Sequence, residues 1–214
     1  LLSNKARFML YTPEACKTIG YMQSQIEGLV RGVYTGNVGG EFIDVMANVI
    51  SGQLTQAYQL AYADEGFGGQ LPDYLASSLE TMILNQYDFV DAFFRDIVDA
   101  RIDGTPIDPL LARASMWANR YNEAYNQAVA LITKEMGGRL VWNYGEAEHC
   151  KTCLSLNGIV AFASEWDTLG VHPQGAPNSK LECGGWKCQC SLTPTTKRRS
   201  PNAYGRIEAI LLER

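Results

Sequence analysis

Five of the six cysteines in this 214-residue chain lie between residues 150 and 190, in the order Cys150-x2-Cys153-x29-Cys183-x4-Cys188-x-Cys190. Two residues between thiolates let one tight turn aim both sulfurs at a single ion, with N–H groups of the turn donating to the sulfurs. Gly184 and Gly185, directly after Cys183, allow the backbone to close around a ligand. The pattern predicts a thiolate metal site, and spacing and abundance favour zinc over copper or an iron–sulfur cluster. Five thiols exceed the four that one tetrahedral ion takes. Cys150, Cys153 and Cys183 are the expected ligands of a single zinc, with Cys188 or Cys190 completing the set. Alternation along an extended segment would send those last two side chains to opposite faces, so that only one points inward. His149 and His172 are further candidates. One or two disulfides form the competing reading, which requires an oxidising compartment; the odd Cys-x-Cys and the lack of a signal-peptide pattern speak against it.

A structural ion suits residues 139–196, which contain few large apolar side chains to offset the entropy of ordering their loops. Metal binding contributes roughly 10 kcal/mol or more to the folding of such modules. Trp142, Phe162, Trp166 and Trp186 are its expected small core, rather than an exposed platform for stacking bases. Catalytic zinc would need an open coordination position and a base. Glu146, Glu148 and Glu165 are at hand, but a thiolate-rich set satisfies zinc fully, and the spacing departs from that of zinc deaminases. The expectation is a protein without enzymatic activity or a small-molecule substrate. Around the cysteines, Arg139–Tyr144 alternates as a short strand, Asn157-Gly158 turns, and Ile159–Phe162 offers a second strand, so a small hairpin is expected after the paired-cysteine turn.

The first part of the chain has a different periodicity. Thr12-Pro13-Glu14 is a helix start, with a capping hydroxyl, a proline at the first turn and an acid near the positive helix end. Apolar residues then recur at three-and-four spacing in four stretches, beginning near Pro13, Phe42, Leu75 and Leu110. These are parted by Gly36–Gly40, by Gly66–Gly69 with Pro72, and by Gly104-Thr105-Pro106. Asp88, Asp91, Asp96 and Asp99 read as a solvated face of the third helix. On the fourth, Arg120 and Asn126 read as polar residues that tie down neighbouring backbone or loop. The predicted fold is mainly α: about four long helices, then a small α+β zinc-stapled module with short antiparallel strands. Its divisions are 1–110, a helical docking region; 111–196, the cysteine module; and 197–214, a basic linker with a short helix through Tyr204, Ile207, Ile210 and Leu211.

Charge follows the same divide, with 6 basic and 14 acidic residues in 1–110 against 12 and 9 in 111–214. A sequence pI of about 5.1 argues against a broad nucleic-acid grip, which leaves Lys197-Arg198-Arg199 as a local tip for DNA or a partner, or a solvated linker. No apolar run approaches the roughly 20 residues of a membrane span, and no membrane association is expected. A chain opening at Leu1 rather than Met is expected to begin inside a longer or processed product.

Taken in order, a helix carrying Arg120, Asn122 and Asn126, then Leu140-Val141-Trp142, Glu148-His149-Cys150-Lys151-Thr152-Cys153, Leu156-Asn157-Gly158, His172-Pro173 and Cys188-Gln189-Cys190 resembles the tailed-phage head morphogenesis domain of the Mu F-like minor head proteins. The resemblance covers roughly 113–196. It implies a minor capsid component, present in few copies in the virion, at the head interior or portal vertex. During assembly in the host cytoplasm such a protein associates with the portal or major capsid protein, sometimes with phage DNA in packaging or ejection. Members of that family commonly carry a His just before the final Cys-x-Cys; Cys183-Gly184-Gly185-Trp186-Lys187 stands here, which moves the third ligand to Cys183. The acidic helical region would then dock on a basic partner patch. The alternative reading is a zinc-ribbon-like nucleic-acid-binding protein.

Overall fold

The computed structural model describes residues 13–145, 149–175, 177–185 and 188–213, with side chains from residue 19 onward. It is mainly helical: four long helices precede a small three-stranded antiparallel sheet and the cysteine cluster. The chain divides into two compact units, one of residues 13–59 and 70–124, the other of 60–69 and 125–213.

The first unit is built from α1 (Pro13–Thr35), most of α2 (Glu41–Asp64), α3 (Asp73–Asp103) and the first half of α4 (Asp108–Glu135). Each helix buries the residues its apolar period marks: Met22, Ile26, Val30 and Val33 in α1, and Phe42, Met46, Ile50 and Leu54 in α2. Phe42 meets Phe93 edge-on with centroids 6.1 Å apart and stacks on Phe94 at 5.6 Å, while Phe93 stacks on Trp117 at 6.4 Å. The Arg113 guanidinium lies 4.5 Å over the Phe93 ring and also pairs with Asp96. Gly104 ends α3 in the left-handed region at φ 68, its N–H donating to the Ala100 carbonyl. Asp88, Asp91, Asp96 and Asp99 are exposed, as a solvated face requires, and Asp91 pairs with Arg95 one turn on. Arg120 pairs with Glu123 on its own helix, offsetting the burial that pushes that carboxyl upward.

In the second unit β1 (Arg139–Asn143) is the central strand, flanked antiparallel by β2 (Val160–Phe162) and β3 (Ser191–Thr195), with Leu140 opposite Ala161 and Trp142 opposite Leu192. Pro194 sits in β3, an edge strand, where a missing donor costs no ladder bond. Three short helices complete the unit: α5 (Lys151–Leu156), α6 (Ala163–Thr168) and α7 (Ala203–Leu212). Trp142 and Trp166 form the centre of its core, rings 5.7 Å apart, and the Trp166 indole N–H donates to the Leu140 carbonyl at 3.3 Å.

The sequence reading needs correcting at four points. The paired-cysteine segment does not lead into a separate hairpin: it starts α5, and the strand after it pairs with β1 before it. Phe162 is 42% exposed because it ends β2 facing out, and so leaves the expected core, while Trp186 lies outside the described residues. The apolar core is also larger than four aromatic rings, since Leu140, Leu156, Ile159, Val171, Leu181 and Leu192 are all buried with the two tryptophans. Residues 197–213 are more than a linker, because α7 inserts Ala203 and Ile207 into that core.

Glu165 fastens the turn that leads to α7. Its carboxylate accepts the Phe162 N–H at 2.8 Å and pairs through both oxygens with Arg199. Arg199 above all holds this carboxyl below its ordinary value of 4.5. A depressed carboxyl contributes stability that is complete above its unfolded pKa and is lost as pH falls through the lower folded value. Glu165→Gln should therefore cost about 1 to 3 kcal/mol near neutrality, and its deficit against the parent should shrink on acidification below pH 4.5. Denaturant unfolding of both proteins across pH checks this.

Candidate metal centre

Cys150 is the N-cap of α5, with φ -69 and ψ 159, and its sulfur accepts the Cys153 N–H at 3.4 Å. The two-residue spacing thus aims both sulfurs the same way by starting a helix. Cys183 is brought alongside by a turn latched to that helix. The Glu182 carboxylate accepts the Lys151 N–H at 2.7 Å, the Thr152 hydroxyl accepts the Glu182 N–H at 3.3 Å, and the Asn178 N–H donates to the Gly184 carbonyl at 2.8 Å. Gly184 and Gly185, at φ 62 and 79, make the left-handed bend that the sequence calls for, and the Gly185 N–H donates to the Cys183 sulfur.

Cys188 and Cys190 enter from the other side, immediately before β3. Residues 188–190 are irregular rather than extended in a ladder, so the alternation rule does not apply, and both sulfurs point into the cluster. That corrects the expectation that only one of the two faces inward. The approach is close: a Cβ on Gly145 would lie 2.7 Å from the Gln189 carbonyl oxygen.

The five sulfurs form two triads, Cys150–Cys153–Cys183 and Cys153–Cys188–Cys190, each with its members within 4.8 Å of one another and sharing Cys153. All five are free thiols. His149 lies at the edge of the second triad, with Nδ1 3.7 Å from the Cys190 sulfur. Its Nε2 lies 2.8 Å from the Gly145 carbonyl, which can only accept; Nε2 therefore carries the proton and Nδ1 presents a lone pair to the cluster. His172 is turned to Asp167 instead, Nε2 to Oδ1 3.8 Å, beside Lys134, and burial pushes its pKa down.

Crowding sets the protonation. Hydrogen bonds from Cys153 and Cys190 draw Cys188 down to about 2, so Cys188 holds negative charge, helped by the Cys190 and Gln174 N–H groups. Donation to Cys188 and Cys190, together with burial, drives Cys153 far upward. Burial raises Cys183 to about 11. Cys190 is lowered by Cys153 but raised more by Cys188 and burial, reaching about 12. For Cys150 the burial penalty is outweighed by bonds from Cys153 and Cys183, and the pKa falls. Donors built for thiolates thus surround sulfurs that cannot all ionise without a cation. The Trp142 indole N–H makes the same point: buried, with no nitrogen or oxygen partner, it is aimed at Cys190. The donor set fits a thiophilic metal ion.

Gln174, which the sequence did not single out, positions Cys188. It is a non-glycine residue at φ 66, a conformation costing about 1 to 3 kcal/mol. Asn126 holds it there by donating to its side-chain oxygen at 2.8 Å. Glu182, beside Cys183 in sequence, was signalled only by that adjacency, and nothing in composition or spacing marks Gln174. Of the basic tip, Lys197 and Arg198 are exposed, whereas Arg199 is engaged by Glu165. Glu146 and Glu148 lie outside the described residues, and no described helix is long and apolar enough to cross a membrane. Comparison with protein-family models, with curated proteins and with solved structures finds no match to this chain.

Two outcomes test the centre. Gly145→Ala should force the Gln189 segment away from β1, lowering stability by about 1 to 3 kcal/mol and weakening metal retention. Gly52→Ala, whose Cβ meets nothing within 4 Å on an exposed face of α2, should instead stabilise by up to about 1 kcal/mol. Thermal melts and metal content compare the two. Because Cys183 and Cys190 keep their protons until about 11 and about 12, loading an ion at neutral pH must expel them. Affinity for zinc, measured by chelator competition, should rise about tenfold per pH unit for each proton displaced and collapse in acid.

Proposed function

We propose that this chain is a structural minor head protein of a tailed bacteriophage, associated with the portal during head assembly, and that its cysteine cluster holds zinc as a structural staple. The observation that carries the reading is convergence. The elements of the resemblance are scattered from Asn126 to Cys190, yet they act on one thiol cluster: Asn126 through Gln174, Trp142 on Cys190, Cys150 and Cys153 at the start of α5, and Gly158 through its N–H on the Trp142 carbonyl at 2.8 Å. A module organised in this way spends its polar residues on holding a fold. Zinc is the ion that a thiolate-dominated, tetrahedral donor set with one imidazole favours. The exposed acids of α3 supply the face on which a basic patch of portal or coat protein docks.

Engagement of Arg199 by Glu165 leaves only Lys197 and Arg198 exposed at the basic tip, which weakens the nucleic-acid alternative. Deleting residues 197–214 would not test that alternative cleanly, since it strips Ile207 from the core. The decisive experiment is to purify the phage particles whose genome encodes the chain and quantify it by mass spectrometry in intact heads, tails and host lysate. Recovery at a few copies per head, lost when the portal is absent, is the expected result. Absence from heads, together with DNA binding that is steeply salt-dependent and abolished by Lys197→Ala with Arg198→Ala, would replace the reading with the alternative.

A further inference from the structure

We propose that the cluster is a two-ion centre, with Cys150, Cys153, Cys183 and Cys188 around one zinc, Cys153, Cys188, Cys190 and His149 around a second, and Cys153 and Cys188 bridging. The proposal rests on the zinc reading of the cluster and replaces the single ion that the spacing alone suggests. A lone tetrahedral ion with bonds of about 2.3 Å gathers four sulfurs to about 3.8 Å of one another. The described sulfurs are arranged otherwise, as two mutually close triads that meet at Cys153. A single ion seated in either triad and completed by one sulfur of the other leaves a fifth thiol over.

The donor count closes on two ions. Two tetrahedra sharing an edge have eight coordination positions, and two bridging donors fill two positions each, so six donors suffice. Five sulfurs and the Nδ1 lone pair of His149 are six. The bridging pair is the one that the arrangement singles out. Cys153 is common to both triads, and Cys188, within 4.8 Å of it in the second, is the sulfur that completes the first set to four.

Charge argues the same way. One zinc with four thiolates leaves a net charge of two negatives in the core, beside a fifth thiol and an imidazole that do nothing. Two zinc ions with five thiolates and a neutral imidazole leave one negative, a smaller charge to bury. Loading is balanced: two zinc ions enter, each sulfur that still carries a proton releases it while Cys188 is already anionic, and no electrons move. The donors on Cys190 then have a purpose. It is fully buried, and the Trp142 indole N–H aimed at it stabilises a thiolate, not a thiol.

The test is metal content of the full chain, expressed with zinc present and freed of loosely bound metal, by elemental analysis and native mass spectrometry. Two zinc ions per chain are expected. Cys190→Ser and His149→Ala each remove a donor to the second ion only, and each should yield one zinc per chain; His149 is half-buried, so its variant keeps the test open should Cys190→Ser fail to fold. Cobalt(II) added to the metal-stripped chain should fill two sites, with a loss of paramagnetic signal at the second equivalent as bridged ions couple. One zinc in the parent chain, or variants that keep the parent's content, overturns the two-ion centre and leaves the zinc staple standing. No zinc at all overturns both.

Discussion

Five sulfurs and an imidazole gathered in one partly buried cluster pose an electrostatic problem that the rest of the second unit is arranged to contain. Two neighbouring thiolates repel, and a thiolate buried without donors or a cation is expensive. Left to themselves the sulfurs share protons unevenly, with Cys188 drawn to the anionic end and Cys153 to the protonated end. Yet the backbone donors are distributed evenly: Cys150, Cys183 and Cys188 each receive N–H groups, and Cys190 faces the Trp142 indole. A network with donors at four sulfurs is complete only when those sulfurs are all charged, and a cation is what makes that affordable.

Each surrounding element can be understood from that requirement. The central strand β1 delivers Trp142 to one side of Cys190 and Gly145 to the other, where the absence of a side chain lets the Gln189 backbone come within contact. Pairing of Asn143 with Ser191 fixes where Cys190 leaves the ladder. α5 presents two cysteines from its first turn, and its otherwise orphaned Lys151 N–H is taken by Glu182, so one bond both caps the helix and seats the Cys183 turn. Gln174 is held in a left-handed conformation by Asn126, and the reward for that strain is an N–H directed at Cys188. Few of these contacts are strong alone, but they converge on sulfur positions that must be held to within a fraction of an ångström.

The helical half was legible because its signals are local and periodic. Three-and-four spacing from Phe42 to Ala61 reports burial directly, and glycine and proline clusters mark where the periodicity stops. The membership of the cysteine cluster was legible for a different reason: thiols so closely spaced have few other uses. What could not be read was which way each sulfur turns. The alternation applied to Cys188 and Cys190 presumes a strand, and the strand begins one residue later, at Ser191. The helix at Lys151–Leu156 is six residues long, too short for a period to show, and its start depends on a sulfur acting as cap, which residue statistics do not register. Gln174 is invisible for a deeper reason, since its partners Asn126 and Cys188 are far from it in sequence and only the folded unit brings the three together.

The core found in the second unit also changes what a bound metal would have to do. A module with only a few aromatic rings would depend on its ion for the whole of its folding free energy, as small zinc domains do. Here Leu140, Leu156, Ile159, Leu192 and Ile207 close around the two tryptophans with no contribution from sulfur chemistry, and the sheet and α7 are anchored by them. The stretch from Gly170 to Cys190 is different: its described residues form no strand and no helix, and Val171 and Leu181 are its main apolar anchors. That stretch carries three of the five sulfurs. An ion held by the cluster would therefore act where the apolar core is thinnest, fixing an irregular stretch whose ordering is opposed by its backbone entropy on a module that already has a hydrophobic centre.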